Sequence, residues 1–262
     1  MSASLSSDSY SQVAGALRAA GCVYAEEEAR LLVDAAPTGA DLSDMVRRRA
    51  AGQPLEHVLG WAEFCGLRIA VDPGVFVPRR RTEFLVRQAA RLARPGAVVV
   101  DLCCGTGALG VALAAAAGPV QLHAADLDPA AVRCARRNVT GVGGQVYQGD
   151  LLRALPATLR GSIALLLANV PYVPASEVGL LPPEARDHEA RLALDGGPDG
   201  LDVLRRVAGA APDWLAPSGY LLFETSDRQV TAAAAAVTCA GLSSQVMRCP
   251  ELGATVIIAA RR

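Results

Sequence analysis

The sequence predicts an α/β fold: a mostly parallel seven-stranded sheet with helices on both faces, behind a small helical bundle and a hairpin connector. Three observations carry that expectation. From Ala97 onward, short apolar strands alternate with helical stretches. The first of these strands runs into a glycine-rich turn that opens a helix. The 262 residues are 52% hydrophobic and 19% charged, which excludes intrinsic disorder and supplies chain for a sizeable core. The formal net charge is −1, unlike that of a dedicated nucleic-acid binder.

Residues 1–60 read as a polar-faced helical bundle. Ser7 to Ala20 carries Val13 and Leu17 at helical spacing, and Gly21 ends the run. Glu26 to Ala36 is a second helix, with Leu31, Leu32 and Val33 on its buried side; Asp41 is placed to cap a third, through Arg49. Residues 61–78 form the connector. Phe64 and Cys65 lead into a turn at Gly66, then Leu67, Ile69 and Val71 lead to a second turn at Asp72-Pro73-Gly74. Residues 79–262 hold the sheet domain, entered through a helix from Thr82 to Arg94. Its strands are expected at Ala97–Leu102, Val120–Ala125, Gln145–Tyr147, Ile163–Ala168, Tyr220–Glu224, Ser244–Arg248 and Ala254–Ala259. Its helices are expected at Leu109–Ala117, Pro129–Asn138, Leu201–Ala211 and Val230–Ala240. The last two strands are joined by a short loop, which predicts an antiparallel pair.

Leu102 to Ala125 carries no formal charge and is long enough to suggest a membrane span. Gly105, Gly107, Gly110, Gly118 and Pro119 break it into turn, helix, turn and strand instead. The seven cysteines contain no C-x-x-C pair, so no zinc ribbon or thioredoxin-type site is written here. With no basic segment leading into an apolar one at the N-terminus, the expectation is a reduced, cytoplasmic monomer that engages no membrane.

The first sheet strand ends in Asp101-Leu102-Cys103-Cys104-Gly105-Thr106-Gly107-Ala108-Leu109-Gly110. Glycines let the backbone turn tightly and let a ligand approach it, and the helix that follows offers free N–H groups. The run satisfies G-x-G-x-x-G, and Asp126 ends the next strand where an acidic ribose ligand is expected. Taken alone, the loop fits either a nicotinamide dinucleotide or S-adenosylmethionine. Asp101 favours the second, because an acid ahead of the glycines can face an amino and sulfonium group, whereas a pyrophosphate would be repelled. Asp150, after the third strand, can accept from an adenine amino group. The third pointer is Asn169-Val170-Pro171-Tyr172, at the end of the fourth strand.

In a Rossmann-like sheet the fourth strand lies beside the first, so this tetrapeptide sits at the topological switch point. Pro171 forces Val170 into an extended conformation, which fixes the direction of its carbonyl. Asn169 offers a side-chain carbonyl next to it. Two fixed acceptors suit a planar –NH2 group and aim the nitrogen lone pair at a methyl donor. Tyr172 supplies a flat wall and favours a nearby cation. The nitrogen becomes acidic once methylated, so no strong base is needed. His57, His123 and His188 are scattered and read as structural.

These residues resemble those of the HemK/PrmC-like protein-(glutamine-N5) methyltransferases. The likeness runs from about Gln53 to Gln229. It takes in Gln53-Pro54-Leu55, Phe64-x-Gly66-Leu67, Pro73 to Arg79 with Thr82-Glu83, the glycine loop, Glu184 to Glu189 and Leu194 to Leu201. The resemblance implies a class I S-adenosylmethionine-dependent methyltransferase fold that methylates a glutamine amide in a protein, the family's targets being class I release factors and a large-subunit ribosomal protein. It implies that Asn169 and the Val170 carbonyl hold the amide while Pro171 and Tyr172 shape its pocket. Cys103, Cys104, Gly105, Thr106 and Gly107 would line the methionine portion, with Asp101 and Asn169 beside it. Asp126 would bind the ribose, and Asp150 with Leu151 would meet the adenine. Two departures stand out. Val170 replaces the first proline of the usual N-P-P-Y. Pro78-Arg79-Arg80-Arg81-Thr82-Glu83 replaces the usual P-R-P-E-T-E, exchanging an acid for a cation beside the site.

Two other readings fit the same residues. A nucleic-acid amino methyltransferase also needs acceptors for a planar –NH2, but it usually adds a basic surface and stacking aromatics, and only 4% of this chain is aromatic. Direct nucleic-acid binding is therefore not expected. A non-catalytic S-adenosylmethionine-binding regulator is the alternative that Val170 suggests, and an enzyme of a small-molecule or peptide pathway is a further one.

Overall fold

The computed structural model describes residues 7–261, so positions 1–6 of the expected bundle, and the N-terminal segment read for a leader, lie outside the described residues. Four helices open the chain: α1 (Ser7–Ala19), α2 (Ala25–Ala35), α3 (Gly39–Ala50) and α4 (Leu55–Leu59). They bury a small apolar cluster of their own around Val13, Leu17, Ala29, Leu32, Leu42 and Val58. The third helix starts earlier than expected because Thr38, not Asp41, is its cap. The Thr38 hydroxyl oxygen accepts from the Asp41 N–H at 3.2 Å and donates to the Asp41 carboxylate at 2.6 Å. At five residues, α4 is too short to show a periodicity; Pro54 precedes it and Gly60 ends it at φ 79°.

The connector is a hairpin of β1 (Trp61–Phe64) and β2 (Leu67–Ala70). Its two turn residues, Cys65 and Gly66, have φ of 52° and 75°, the pair of left-handed conformations that matches the strands' twist. Next come α5 (Glu83–Leu92), β3 (Val98–Leu102), α6 (Ala108–Ala117), β4 (Gln121–Asp126), α7 (Pro129–Val139), β5 (Gln145–Gln148) and β6 (Ile163–Ala168). The chain closes with α8 (Pro183–His188), α9 (Asp202–Trp214), β7 (Leu215–Thr225), α10 (Val230–Cys239), β8 (Ser243–Cys249) and β9 (Ala254–Ala260).

The sheet order is β5-β4-β3-β6-β7-β9-β8. The strands from β5 to β7 run parallel, and β9 is antiparallel to both neighbours, as the short β8–β9 connection predicted. Two elements outrun the sequence expectation. α9 passes through Pro212 to Trp214, whose side chain is 5% exposed; burial of that ring outweighs one missing helical hydrogen bond. β7 begins at Leu215 because it pairs with Ile163 and then, across an irregularity, resumes at Tyr220 opposite Leu165. No helix among the described residues is long and apolar enough to cross a membrane.

Each face of the sheet has its own core. One holds Leu166, Ala168, Leu221 and Phe223 under α9 and α10; the other holds Val99, Leu165, Leu167 and Leu222 under α5 and α6. Side chains alternate along a strand, so Asp101, Asn169 and Glu224 continue the second set. The chain leaves β3 for β4 on one side, and β6 pairs with β3 on the other, which opens a crevice at the strands' carboxyl ends. The helical bundle is tied to this end of the sheet. Buried Arg49 pairs with Glu28 on α2 at 2.6 Å and with Glu184 on α8 at 2.7 Å.

Candidate active site

A cavity of about 470 Å³ fills the crevice. The glycine loop forms its floor. Cys103, Gly105 and Gly107 all take left-handed φ, at 54°, 53° and 77°. At Gly107 a Cβ would lie 2.5 Å from the Val139 methyl, and at Gly110 it would lie 2.6 Å from Leu122, so loop and helix pack too closely for side chains there. Cys103 holds its conformation without that exemption. Its thiol, like that of Cys104, is kept protonated by burial and then by the surrounding aspartates.

The structure brings most of the sequence-selected residues to this cavity. Cys103, Cys104, Gly105, Thr106, Asp126, Asp150, Leu151, Asn169, Val170, Pro171 and Tyr172 all line it. Gly107 is the N-cap of α6 and is not part of the cavity wall. Asp101 is fully buried beneath the loop rather than on the wall. One of its oxygens accepts from the Gly110 N–H at 2.9 Å and the other has no partner. Burial, with Asp126 adding to it, pushes its carboxyl up to about 8.

Asp126 accepts from the Gly105 N–H and from the Asp128 N–H, both at 2.9 Å, and burial raises its pKa too. It is therefore a loop anchor with lone pairs left over for hydroxyl groups. Capping of α7 belongs to Asp128, which accepts from the Ala130 N–H at 2.8 Å. Asp150 is engaged at the far rim, where Arg206 on α9 reaches it at 2.5 Å. That partner had no local signal in the sequence, and neither did Asn138. The Asn138 amide accepts from the Ala70 N–H and donates to the Ala70 and Thr106 carbonyls at 2.8–2.9 Å, tying hairpin to glycine loop.

Across the cavity, the Asn169 side-chain oxygen is buried and has no hydrogen-bond partner. The Val170 side chain is 2% exposed and joins the apolar cluster that holds Leu201 and Phe223, so a β-branched residue is accommodated where the related motif has proline. The turn is braced from behind. Gln229 donates to the Tyr172 carbonyl at 2.9 Å, and Gly196 and Gly200 approach the Pro171 and Tyr172 carbonyls too closely for any Cβ. The tyrosine hydroxyl is held by two groups that the sequence did not connect to it: it donates to Glu224 at 3.0 Å and accepts from Arg81 at 2.6 Å. Arg81 thus meets the hydroxyl edge of Tyr172, not its face. Arg79 is occupied by Glu189, both of whose oxygens accept from Arg79 Nη2 at 2.6–2.7 Å. None of the three histidines lines the cavity. His57 bonds the Val75 carbonyl and His123 stacks on Tyr147, while His188 lies on α8. Among the described residues no cluster could hold a metal ion.

The residues present fit S-adenosylmethionine. The Asp101 carboxyl lies under the glycine loop, a second acid ends β4 in the cavity wall, and Leu127 and Leu151 give apolar walls. Asp126 would hold the ribose hydroxyls, the glycine loop would carry the methionine end, and Leu127 and Leu151 would flank the ring.

Comparison with known proteins agrees. The Methyltransferase small domain family matches residues 66–180. The release factor glutamine methyltransferase of Geobacter sulfurreducens is 40% identical over 182 residues, covering 69% of this chain and 63% of that one. The same-named protein of Deinococcus radiodurans is 38% identical over 226 residues, 84% of this chain and 78% of that one. The 4-amino-L-phenylalanine/4-methylamino-L-phenylalanine methyltransferase of Streptomyces pristinaespiralis is 38% identical over 225 residues, 82% of this chain and 76% of that one. A solved methyltransferase from Pyrococcus furiosus superimposes with a TM-score of 0.57 at 16% identity, covering 83% of this chain and 98% of that one, a likeness of fold. The chain thus spans a little under two thirds of the Geobacter protein and more of the other two relatives.

Proposed function

The chain belongs to the HemK/PrmC-like family of S-adenosylmethionine-dependent methyltransferases, and from that premise we propose that it methylates the side-chain nitrogen of a glutamine in a protein, with a class I release factor as the substrate class. The observation that carries this reading is Asn169 in the crevice wall beside the glycine loop, with its side-chain oxygen buried and unpartnered. A buried acceptor without a donor costs about 1–3 kcal/mol, a cost that a bound –NH2 group relieves.

S-adenosylmethionine supplies an electrophilic methyl group on sulfur. The chain's residues do the rest by placement. Asn169 Oδ1 and the Val170 carbonyl take the two N–H groups of the amide, which turns the nitrogen's lone pair toward the donor side of the cavity. The same oxygens stabilise positive charge as it grows on nitrogen. Pro171 keeps the Val170 carbonyl in position, and the buried Val170 side chain anchors it from the other side. The proton is lost after transfer, to solvent through the open mouth. With a net charge of −1, the surface suits a protein acceptor better than a nucleic acid.

A second reading is favoured by the Streptomyces pristinaespiralis relative, whose name specifies an aryl amine on a free amino acid and which covers much of this chain. The same two oxygens would serve that –NH2 group. One experiment separates the readings. The full chain is incubated with methyl-labelled S-adenosylmethionine and, in parallel, a purified class I release factor or 4-amino-L-phenylalanine. Label on a glutamine nitrogen of the factor supports the proposal. Label on the free amino acid alone transfers the site to the second reading.

A further inference from the structure

Glu224, the penultimate residue of β7, follows Phe223, the partner of Ala168, just as Asn169 follows Ala168, and it is 3% exposed. One of its oxygens accepts from Arg81 Nε at 2.8 Å and from the Tyr172 hydroxyl at 3.0 Å; the other has no partner. Arg81 Nη2 donates to the same hydroxyl at 2.6 Å. This closed triangle removes the usual ambiguity of a hydroxyl group. A guanidinium has only donors, so the tyrosine oxygen must accept from Arg81. The Glu224 oxygen is already an acceptor from Arg81, so the tyrosine must donate to it. The single O–H is therefore committed to Glu224, which is buried behind the cavity wall, while Tyr172 and Arg81 line the cavity. One lone pair on the tyrosine oxygen remains.

We propose that Glu224 and Arg81 are positioning residues that turn the Tyr172 hydroxyl into a fixed hydrogen-bond acceptor toward the cavity, so that the methyl-acceptor site takes an –NH2 group and rejects an oxygen in its place. This deepens the glutamine reading above and rests on it. A glutamine offers two N–H donors, one of which the Tyr172 oxygen can share with Asn169 Oδ1 or the Val170 carbonyl in a three-centre bond, where a glutamate of the same shape offers only lone pairs. Lone pair against lone pair is repulsive, and a hydroxyl free to rotate would have forgiven the exchange by turning its proton outward. Locking it removes that option. The site then discriminates an amide nitrogen from a carboxylate oxygen, and it disfavours an amide bound with oxygen and nitrogen interchanged. Burial and Glu224 push the tyrosine up to about 12, with Arg81 opposing, so the proton stays on the hydroxyl through the neutral range. Arg81 stands where the related motif carries an acid; an acid there would accept from the hydroxyl instead of donating to it.

The test has a spectroscopic arm and a selectivity arm, both on the full chain saturated with S-adenosylhomocysteine. Tyrosine is labelled with carbon-13 at Cζ and the spectrum recorded in mixed light and heavy water. A hydroxyl proton held by a buried carboxylate exchanges slowly and splits its Cζ resonance in two. The split resonance is expected in the wild type and is assigned by its loss in Tyr172→Phe. A single averaged Tyr172 resonance in the wild type overturns the proposal without any further variant. In the second arm, two peptides differing only as Gln or Glu at the target position are titrated against the wild type, Glu224→Ala and Tyr172→Phe. The preference for Gln is expected to fall roughly tenfold in each variant, while affinity for S-adenosylhomocysteine stays put and reports an intact fold. Should Glu224→Ala fail to fold, Tyr172→Phe alone decides. An unchanged preference in a folded variant overturns the proposal. If the wild type methylates no release factor yet shows the split resonance and prefers Gln, the release-factor reading fails and the hydroxyl lock stands.

Discussion

The two halves of the cavity are built on opposite principles. On the glycine-loop side, polar groups are largely satisfied by near neighbours: Asp126 holds Gly105 and Asp128, and Asp101 holds Gly110. On the Asn169 side, the polar atoms either lack a partner or find one far away in sequence. Asn169 Oδ1 has none, and Tyr172 is gripped by Arg81 and Glu224, 91 and 52 positions distant. The first half is a rigid cradle that forms without ligand. The second is poised, with an acceptor whose need is met only when a donor arrives. The difference teaches where binding ends and chemistry begins, and substitutions on the two sides should therefore fail differently.

The largest effect is expected at Asn169. Asn169→Ala should lower single-turnover methyl transfer by a factor on the order of 10²–10³ and leave the calorimetric affinity for S-adenosylmethionine nearly unchanged. A matching loss of both would erase the division between the halves. Asp126→Ala is the mirror experiment: cofactor affinity should drop roughly 10- to 100-fold, while transfer at saturating cofactor recovers most of its rate. Gly110→Ala should cost about 1–3 kcal/mol of stability in denaturant titration, because its Cβ would meet Leu122; an unaltered midpoint would mean the cradle is looser than the packing implies.

The most diagnostic change is the pH dependence at Asp101. Its carboxyl is raised to about 8 in the folded chain, above the ordinary carboxylate value that applies when unfolded. Between those two values the native state holds a proton that the unfolded chain has released, so this group makes stability fall as pH rises. From pH 5 to pH 8 the unliganded wild type should lose more stability than Asp101→Asn. Equal losses would show that the carboxyl under the loop titrates normally.

The same contrast explains what could be read from the sequence. The glycine loop, Asp126 and the Asn169–Tyr172 turn are contiguous or follow strands, so local pattern exposes them. The mostly parallel sheet and its antiparallel last pair followed from short apolar strands alternating with helices, and the boundaries that moved most, at Thr38, Trp214 and Leu215, moved where a cap or tertiary burial overrode a local signal. Asp101 was legible as a member of the loop but not as a residue beneath it, since burial is a property of the packed sheet. Asn138, Arg206, Glu224 and Gln229 were not singled out for a role at the site, and Arg81 was visible only as a cation in place of an acid, not as a partner of Tyr172. Each acts on a partner 30 or more positions away, and an arginine or glutamate at a strand or helix end looks like any solvated charge.

A crystal structure of the chain with S-adenosylhomocysteine and a glutamine-bearing peptide bears on the central claim most directly. The account requires the amide nitrogen within hydrogen-bond distance of both Asn169 Oδ1 and the Val170 carbonyl, on the side facing the sulfur. A peptide whose amide lies elsewhere, or a side-chain oxygen seated against Asn169 Oδ1, would contradict it.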